Sequence, residues 1–80
     1  MITHSYQLPP CMVGYLIKEV HTLCSAYIPT AIVFVRGIHP KSEFYTKDKG
    51  KVYWSYIWND LYQAYIGITL FENEFVLFPE

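Results

Sequence analysis

The side chains best suited to metal binding or nucleophilic attack are two cysteines and three histidines. His21 and Cys24 stand three positions apart, a spacing that brings two side chains together on a helix. Structural zinc sites use four ligands, typically as two closely spaced pairs, and the sequence contains one such pair. We therefore predict a solvated His21, a buried Cys24 thiol, no metal site and no cofactor.

Cys11 is the one candidate for a catalytic nucleophile. The sequence around it predicts the first turn of a helix, where the helix dipole favours a thiolate. His4 is the candidate general base, but no spacing fixes the two groups relative to each other. A thiol-dependent enzyme that uses Cys11 is therefore only a second alternative, and the expectation is that the protein is not an enzyme.

The carboxylates and glycines add no catalytic signature. Glu72 and Glu74 flank a predicted turn, and no two acidic residues have the spacing of a general acid and base. The four glycines are isolated, so the sequence lacks the glycine-rich loop that cradles phosphates. Both observations favour a binding protein over an enzyme.

The composition is aromatic and poor in charge. The chain has eight Tyr, five Phe and two Trp in 80 residues, and 11 of these 15 lie between Phe44 and Phe78. With 52% hydrophobic and 16% charged residues, it either packs unusually well or leaves apolar surface for another molecule. That molecule could be a second copy, so a homodimer is among the expectations.

Location and domain count follow from length and hydropathy. No apolar stretch approaches the roughly 20 residues of a membrane-spanning helix, and the N-terminus lacks the basic and apolar pattern of a signal peptide. Two cysteines predicted far apart on one helix suit reduced thiols. We predict a single α+β domain over residues 1–80, located in the cytoplasm, with no membrane contact.

Charge is distributed unevenly, although the net charge is −1. Residues 36–51 have a local balance of +3, and residues 52–80 a balance of −4. Basic residues interleaved with aromatic ones in the segment 36–56 are typical of single-stranded nucleic-acid binding, in which bases stack on rings beside lysines. This nucleic-acid-binding module is the first alternative function, and the low overall charge counts against it.

A few positions of that segment resemble the RNA-recognition-motif strand pattern. Residues 49–56, Lys-Gly-Lys-Val-Tyr-Trp-Ser-Tyr, place a basic residue and a glycine before aromatic residues. The Gly-aromatic-Gly part of the pattern is missing, because Lys51 and Val52 occupy those places. The resemblance would imply RNA bases stacked on the aromatic side chains of a sheet.

Hydrophobic periodicity predicts the elements of the first half of the chain. Alternation over residues 2–8 predicts a strand. Residues 10–26 follow a helical period, with an apolar stripe within a 140° arc at 100° per residue. That stripe consists of Met12, Val13, Leu16, Ile17, Val20, Leu23, Cys24 and Tyr27. The β-branched run at 31–35 predicts a central strand.

The second half begins with a predicted hairpin. Residues 43–46 pair with 51–53 across Lys47-Asp48-Lys49-Gly50, whose last residue needs a positive φ. Residues 68–71 and 75–78 form a predicted terminal hairpin around Glu72-Asn73-Glu74.

Residues 53–66 are ambiguous. As a helix, they place Trp54, Ile57, Trp58, Leu61 and Tyr65 on one stripe. As a strand, they place Val52, Trp54, Tyr56 and Trp58 on one face of a longer hairpin. Polar residues spaced by four favour the helix. The predicted fold is then two helices packed on one face of a mostly antiparallel sheet, in β-α-β-β-α-β(-β) order, which matches the ferredoxin-like order.

The favoured function is a small non-enzymatic protein that acts through protein–protein contact. In its size and lack of motifs the chain resembles the small inhibitors and adaptors carried by phages and mobile elements. Tyrosines beside polar and charged residues are typical of interfaces. The predicted contact residues are Tyr15, Tyr45, Lys47, Lys49, Tyr53, Tyr56, Asp60 and Tyr62.

Overall fold

A computed structural model of the chain describes residues 2–3, 10–22, 25–41 and 50–79. Over these residues the chain forms strands and turns, without a helix. The eight strands are β1 (Ile2–Thr3), β2 (Met12–Leu16), β3 (Val20–His21), β4 (Ala26–Tyr27), β5 (Ile32–Ile38), β6 (Val52–Asn59), β7 (Ala64–Phe71) and β8 (Phe75–Leu77). Strands β3 and β4 form a small hairpin, and the other six form one sheet in the order β1-β7-β6-β5-β2-β8. Every strand pair is antiparallel.

The predicted α+β fold with two helices in ferredoxin-like order is therefore wrong, although the antiparallel sheet is present. Residues 10–26, predicted as the first helix, include β2, β3 and the start of β4. Residues 53–66, predicted as the second, supply most of β6, a turn and the start of β7. No described segment is a helix of the length and apolarity needed to cross a membrane.

The first predicted helix fails for a local reason. The β-branched Val13, Ile17 and Val20 favour strand over helix, and Gly14 weakens a helix interior. As a strand, residues 12–15 pair with the apolar β5, from Met12 opposite Val35 to Tyr15 opposite Ile32. This pairing supplies the backbone hydrogen bonds that a helix would have made internally.

The central strand predicted at 31–35 is confirmed as β5, which extends to Ile38 and lies between β2 and β6. Its register with β6 shifts between Val35 and Gly37, so that Arg36 lies in a β-bulge. A bulge adds a residue to one strand and redirects its side chain. This irregularity positions the one cation of the β5 strand.

The predicted terminal hairpin is wrong in its pairing. Both of its segments are strands, but β7 pairs with β6, whereas β8 pairs with β2 four strand positions away. On a flat sheet that separation would be roughly 19 Å, and the connection from Phe71 to Phe75 can span at most about 14 Å. The sheet must therefore curl until its two sides approach each other.

The inside of the curl holds the hydrophobic core. Its buried members come from β2, β3 and β5 to β8 and are Leu16, Val20, Val33, Val35, Ile57, Ile66, Leu70 and Phe75. The small β3–β4 hairpin contributes Val20, and Tyr27 from the same hairpin packs against this cluster. The hairpin thus covers part of the core that the sheet leaves open.

Two buried polar residues of β6 also face the inside. Asn59 is 1% exposed, and its Nδ2 donates to Ser25 Oγ at 2.9 Å and to Tyr27 Oη at 3.0 Å. Its Oδ1 accepts from the Tyr62 backbone N–H at 3.0 Å, which ties the β6–β7 turn to the small hairpin. Ser55 is fully buried, and its hydroxyl has no hydrogen-bond partner among the described residues.

The remaining predictions concern residues at or beyond the limits of the described ranges. Of the strand predicted at 2–8, Ile2 and Thr3 pair with Ile66 and Tyr65, and residues 4–8 lie outside the described residues. The first arm of the predicted 43–46 hairpin also lies outside them. The positive φ predicted for Gly50 is confirmed at 80°.

Candidate binding surface

The side of the sheet that faces away from the core is also apolar. In a strand, successive side chains point to opposite faces. Since Val33, Val35 and Ile57 point inward, the alternate residues point outward. Register pairs join these residues into rows across the sheet: Val13 with Phe34, Phe34 with Tyr56, and Trp58 with Tyr65. We call the outer face the set Val13, Tyr15, Ile32, Phe34, Trp54, Tyr56, Trp58, Tyr65 and Phe78.

Aromatic rings pack closely along the outer face. Phe34 on β5 and Tyr65 on β7 meet edge to face, with their centroids 5.3 Å apart, although β6 lies between their strands. Trp58 lies against the same tyrosine at 5.1 Å. Tyr56, on the strand that these rings straddle, is only 2% exposed. The rings therefore form a fixed platform, since each restricts the rotamers of its neighbours.

Part of the outer face is open to solvent. Phe78 is 51% exposed, Ile32 47%, and Val13 and Trp58 each 38%. Phe78 packs on Tyr15 with ring centroids 5.1 Å apart, which carries the apolar surface on to the β8 side. A half-solvated antiparallel sheet usually has one apolar and one polar face. This sheet has two apolar faces, and the outer one is partly exposed to solvent.

The outer face has a cation at one end and an anion at the other. The guanidinium of Arg36 lies 4.4 Å from the ring centroid of Trp54, and the His39 ring lies 5.8 Å from the same indole. Arg36 is exposed and forms no ion pair with any described residue. At the opposite end, Asp60 Oδ1 accepts a hydrogen bond from Trp58 Nε1 at 2.8 Å. The stacked guanidinium can still donate to a carboxylate or phosphate.

The predicted contact residues are distributed over several places. Tyr15 and Tyr56 belong to the outer face, and Asp60 lies at its end. Tyr53 points inward, where its ring meets Phe75 at 5.1 Å. Tyr62 is in the β6–β7 turn and is 50% exposed. Tyr45, Lys47 and Lys49 lie outside the described residues.

The prediction missed the most prominent members of the outer face, which are Ile32, Phe34, Trp54 and Trp58. One signal could have found two of them. The strand interpretation of residues 53–66 places Val52, Trp54, Tyr56 and Trp58 on a single face, and the structure has this arrangement. Because the helix was preferred for residues 53–66, the prediction did not identify the surface that Trp54 and Trp58 share.

The thiol of the second alternative, Cys11, lies in a different environment from the one that this alternative requires. Cys11 precedes β2 and is half-buried, and no described segment beside it is a helix. Burial raises the pKa of this thiol, and the charge of Arg36 opposes part of that rise. His4 lies outside the described residues. Because its pKa is raised, Cys11 lacks the activated thiolate on which the second alternative depends.

The other candidate chemical groups are dispersed. His21 is exposed, and its Nε2 lies 2.8 Å from Glu19 Oε1. No cluster of three or more His, Cys, Asp or Glu side chains occurs among the described residues, and Cys24 lies outside them. A half-open cavity of about 210 Å³ is lined by Val52, Thr69, Leu70 and Phe71, none of which titrates.

The outer face is thus the feature of the described structure with the composition of a binding site. No family model, no curated protein and no solved structure matches the chain.

Proposed function

We propose that this chain is a small non-enzymatic binding protein that contacts another protein through the outer face. The observation that carries this proposal is the second apolar face of the sheet, with Ile32, Trp58 and Phe78 partly open to solvent. When a partner removes exposed apolar area of this kind from water, binding is favoured by about 25 cal/mol per Å² of that area. Such a protein would act as an inhibitor or adaptor by occupying a surface of its partner.

The composition of the outer face supports a protein partner. Trp, Tyr and Arg are the residues most often found at the energetic centre of protein interfaces. Their packing here lowers the entropic cost of binding, because Trp58, Tyr65 and Phe34 already hold each other in place. Arg36 and Asp60 supply the polar ends that typically surround an apolar centre.

The distribution of charge favours protein over single-stranded nucleic acid. A nucleic-acid groove needs several cations that follow the phosphate backbone. The described outer face has Arg36 beside Trp54 at one end and Asp60 at the other. Two lysines of the basic segment, Lys47 and Lys49, lie outside the described residues. Stacking rings without a cationic track among the described residues suit apolar side chains of a protein better than bases.

We also infer a cytoplasmic location. Cys11 is a free thiol, and free thiols suit a reducing compartment.

The test selects peptides on the immobilised protein and compares two matched variants. A random 12-residue peptide library provides the ligands, and fluorescence polarisation measures their affinities. Ile32→Asp places a charge on the outer face, whereas Ile28→Asp places the same charge at a 68% exposed isoleucine elsewhere. We expect Ile32→Asp to weaken the selected peptides about tenfold or more, since a buried unpaired carboxylate is costly. Ile28→Asp should change affinity less than about twofold.

Two outcomes would contradict this function. One is a set of selected peptides that bind Ile32→Asp as tightly as the parent protein. The other is a fluorescent 15-mer of oligo(dT) that binds at about 50 mM salt and is lost on Ile32→Asp while no peptide is selected, because phosphate contacts are strongest at low salt. The second result would assign the outer face to nucleic acid.

A further inference from the structure

We propose that a second copy of this chain binds the outer face, forming a two-fold dimer in which Arg36 of each copy meets Asp60 of the other. This inference rests on the proposed function, because it names one partner for the same surface. It comes from the arrangement of charge on that surface: a cation at one end, an anion at the other and apolar side chains between them. A surface of that kind is complementary to itself when reversed.

The geometry of β6 sets the positions of the two ends. Trp54, which carries Arg36 on its ring, and Trp58, which donates to Asp60, lie four residues apart on this strand. That spacing corresponds to about 13 Å. A two-fold axis across the strands at the level of Tyr56 reverses the strand direction of the second copy. It therefore brings the Trp54 end of one copy over the Trp58 end of the other, and the same contact occurs twice.

Both charged groups are prepared for this contact. Arg36 Cζ lies over the Trp54 ring, and the side chain is exposed and has no ion pair with a described residue, so its N–H groups can reach a carboxylate. The Trp58 indole holds the Asp60 carboxylate in place through one oxygen, at 2.8 Å, and this group is also exposed. If the β6 strands of the two copies ran parallel, Arg36 would face Arg36 and Asp60 would face Asp60. Electrostatics thus selects the antiparallel arrangement.

The size of the outer face limits the strength of the dimer. Five strands span roughly 19 Å and the two tryptophans about 13 Å, which gives a projected patch of roughly 250 Å² per copy. A standard interface buries about 800 Å² on each partner. The outer side of a curled sheet is also convex, so the contact is restricted to its middle strands. We therefore expect a reversible dimer with a dissociation constant of about 10 μM or weaker.

The experiment is sedimentation equilibrium of the full chain from about 1 μM to 1 mM, with charge reversals at each end of the outer face. Arg36→Glu and Asp60→Arg each create two like-charge contacts in a dimer of identical copies. We expect each to weaken the dimer about tenfold or more. An equimolar mixture of the two variants restores one Arg36–Asp60 contact and one reversed contact. We expect the mixture to dimerise within about threefold of the parent.

Two further variants keep the result interpretable. Lys18→Glu reverses an exposed charge outside the outer face and should leave the dimer unchanged. Asp60→Asn retains an acceptor for the Trp58 indole but removes the charge, so it should weaken the dimer less than Asp60→Arg. Far-ultraviolet circular dichroism checks that each variant is folded.

Three results would overturn the inference: a parent protein that is monomeric up to 1 mM, a dimer that tolerates both reversals, or a mixture that remains monomeric. None of them affects the peptide experiment. If peptides are selected and lost on Ile32→Asp while the parent is monomeric, the binding function stands and the dimer does not. If a dimer depends on both charges but no peptide is selected, the outer face serves self-association alone.

Discussion

Ser55 places a hydroxyl group among apolar side chains of the core. It is fully buried, and its register partners are Val35 on β5 and Ile68 on β7. Its Oγ has no hydrogen-bond partner among the described residues. Removing a hydroxyl from water without replacing its hydrogen bonds costs about 1–3 kcal/mol on the scale of protein mutations. This penalty lowers the free energy of unfolding of the native state.

The substitution Ser55→Ala should therefore stabilise the protein. We expect the free energy of unfolding to rise by about 1 kcal/mol, because the unfolded state hydrates the serine hydroxyl and the native state does not. Urea denaturation followed by tryptophan fluorescence measures the change. Thr69→Val removes an exposed hydroxyl from β7 and should shift stability by less than about 0.5 kcal/mol. A loss of stability in Ser55→Ala would mean that this hydroxyl has a partner.

Cys11 yields a prediction about reactivity and pH. Its thiol pKa is raised above the ordinary value of 9.0 by burial, and Arg36 lowers it in part. A thiol reacts as its thiolate, and a raised pKa leaves less thiolate at any pH below it. In a Cys24→Ser background, iodoacetamide at pH 7.5 should therefore alkylate Cys11 more slowly than a cysteine in an unstructured peptide.

The rate should increase with pH, with its midpoint above 9.0. Arg36→Gln removes the charge that favours the thiolate and should slow the reaction further. Alkylation faster than in the peptide would show an activated thiol and would reopen the enzymatic alternative.

At the scale of elements, the approach of β8 to β2 depends on one glycine. A Cβ added to Gly14 would lie 2.5 Å from the backbone carbonyl oxygen of Val76 and 3.2 Å from the Cα of Leu77. Backbone atoms cannot rotate away as a side chain can. Strand β8 must therefore move if residue 14 carries any side chain.

Gly14→Ala should destabilise the fold by about 1–3 kcal/mol, the usual cost of overpacking. The loss should be concentrated at β8, because this strand has β2 as its only partner in the described sheet. Hydrogen exchange measured by NMR should show reduced protection at residues 75–77, while β6 and β7 retain theirs. Unchanged protection at β8 would contradict the close approach of these two strands.

Sequence patterns predicted β5 from its apolar residues 32–35, but not its neighbours β2 and β6. Strand β2 has apolar residues on both sides: Leu16 is buried on the inside, while Val13, on the outer face, is 38% exposed. Apolar residues on both faces remove the period of two that identifies a half-buried strand. The same residues then match a helical period by coincidence. The two-faced sheet is thus itself the cause of the first wrong helix.

Strand β6 misled the prediction through its polar residues. Ser55 and Asn59, spaced by four, suggested the solvated side of a helix, but both are buried on the inside of the sheet. The Asn59 Nδ2 donates to Ser25 and Tyr27, more than thirty positions away, so no local pattern could reveal these two contacts. The strand interpretation of residues 53–66 could have predicted the outer-face residues of β6. The positions of Arg36 and Asp60 at the two ends could not be predicted, because they depend on a β-bulge and a turn.

At the scale of the whole molecule, the uneven charge of the sequence becomes a separation of positive and negative charge between the two ends of the outer face. The sequence places positive charge at 36–51 and negative charge at 52–80. Folding brings Arg36 to one end of the outer face, and the β6–β7 turn brings Asp60 to the other. Either a second copy or another protein bound there would therefore be oriented by charge as well as held by apolar contact.

The pairing of Gly14 with Leu77 has a consequence for protein synthesis. A ribosome that adds about 5–20 residues per second reaches position 77 roughly 3–13 s after position 14. Until then β2 lacks the strand that closes the curl on its side. The growing chain displays two apolar faces, because neither its core nor its aromatic surface is covered. We therefore expect a nascent chain that depends on chaperone protection more than its small size suggests.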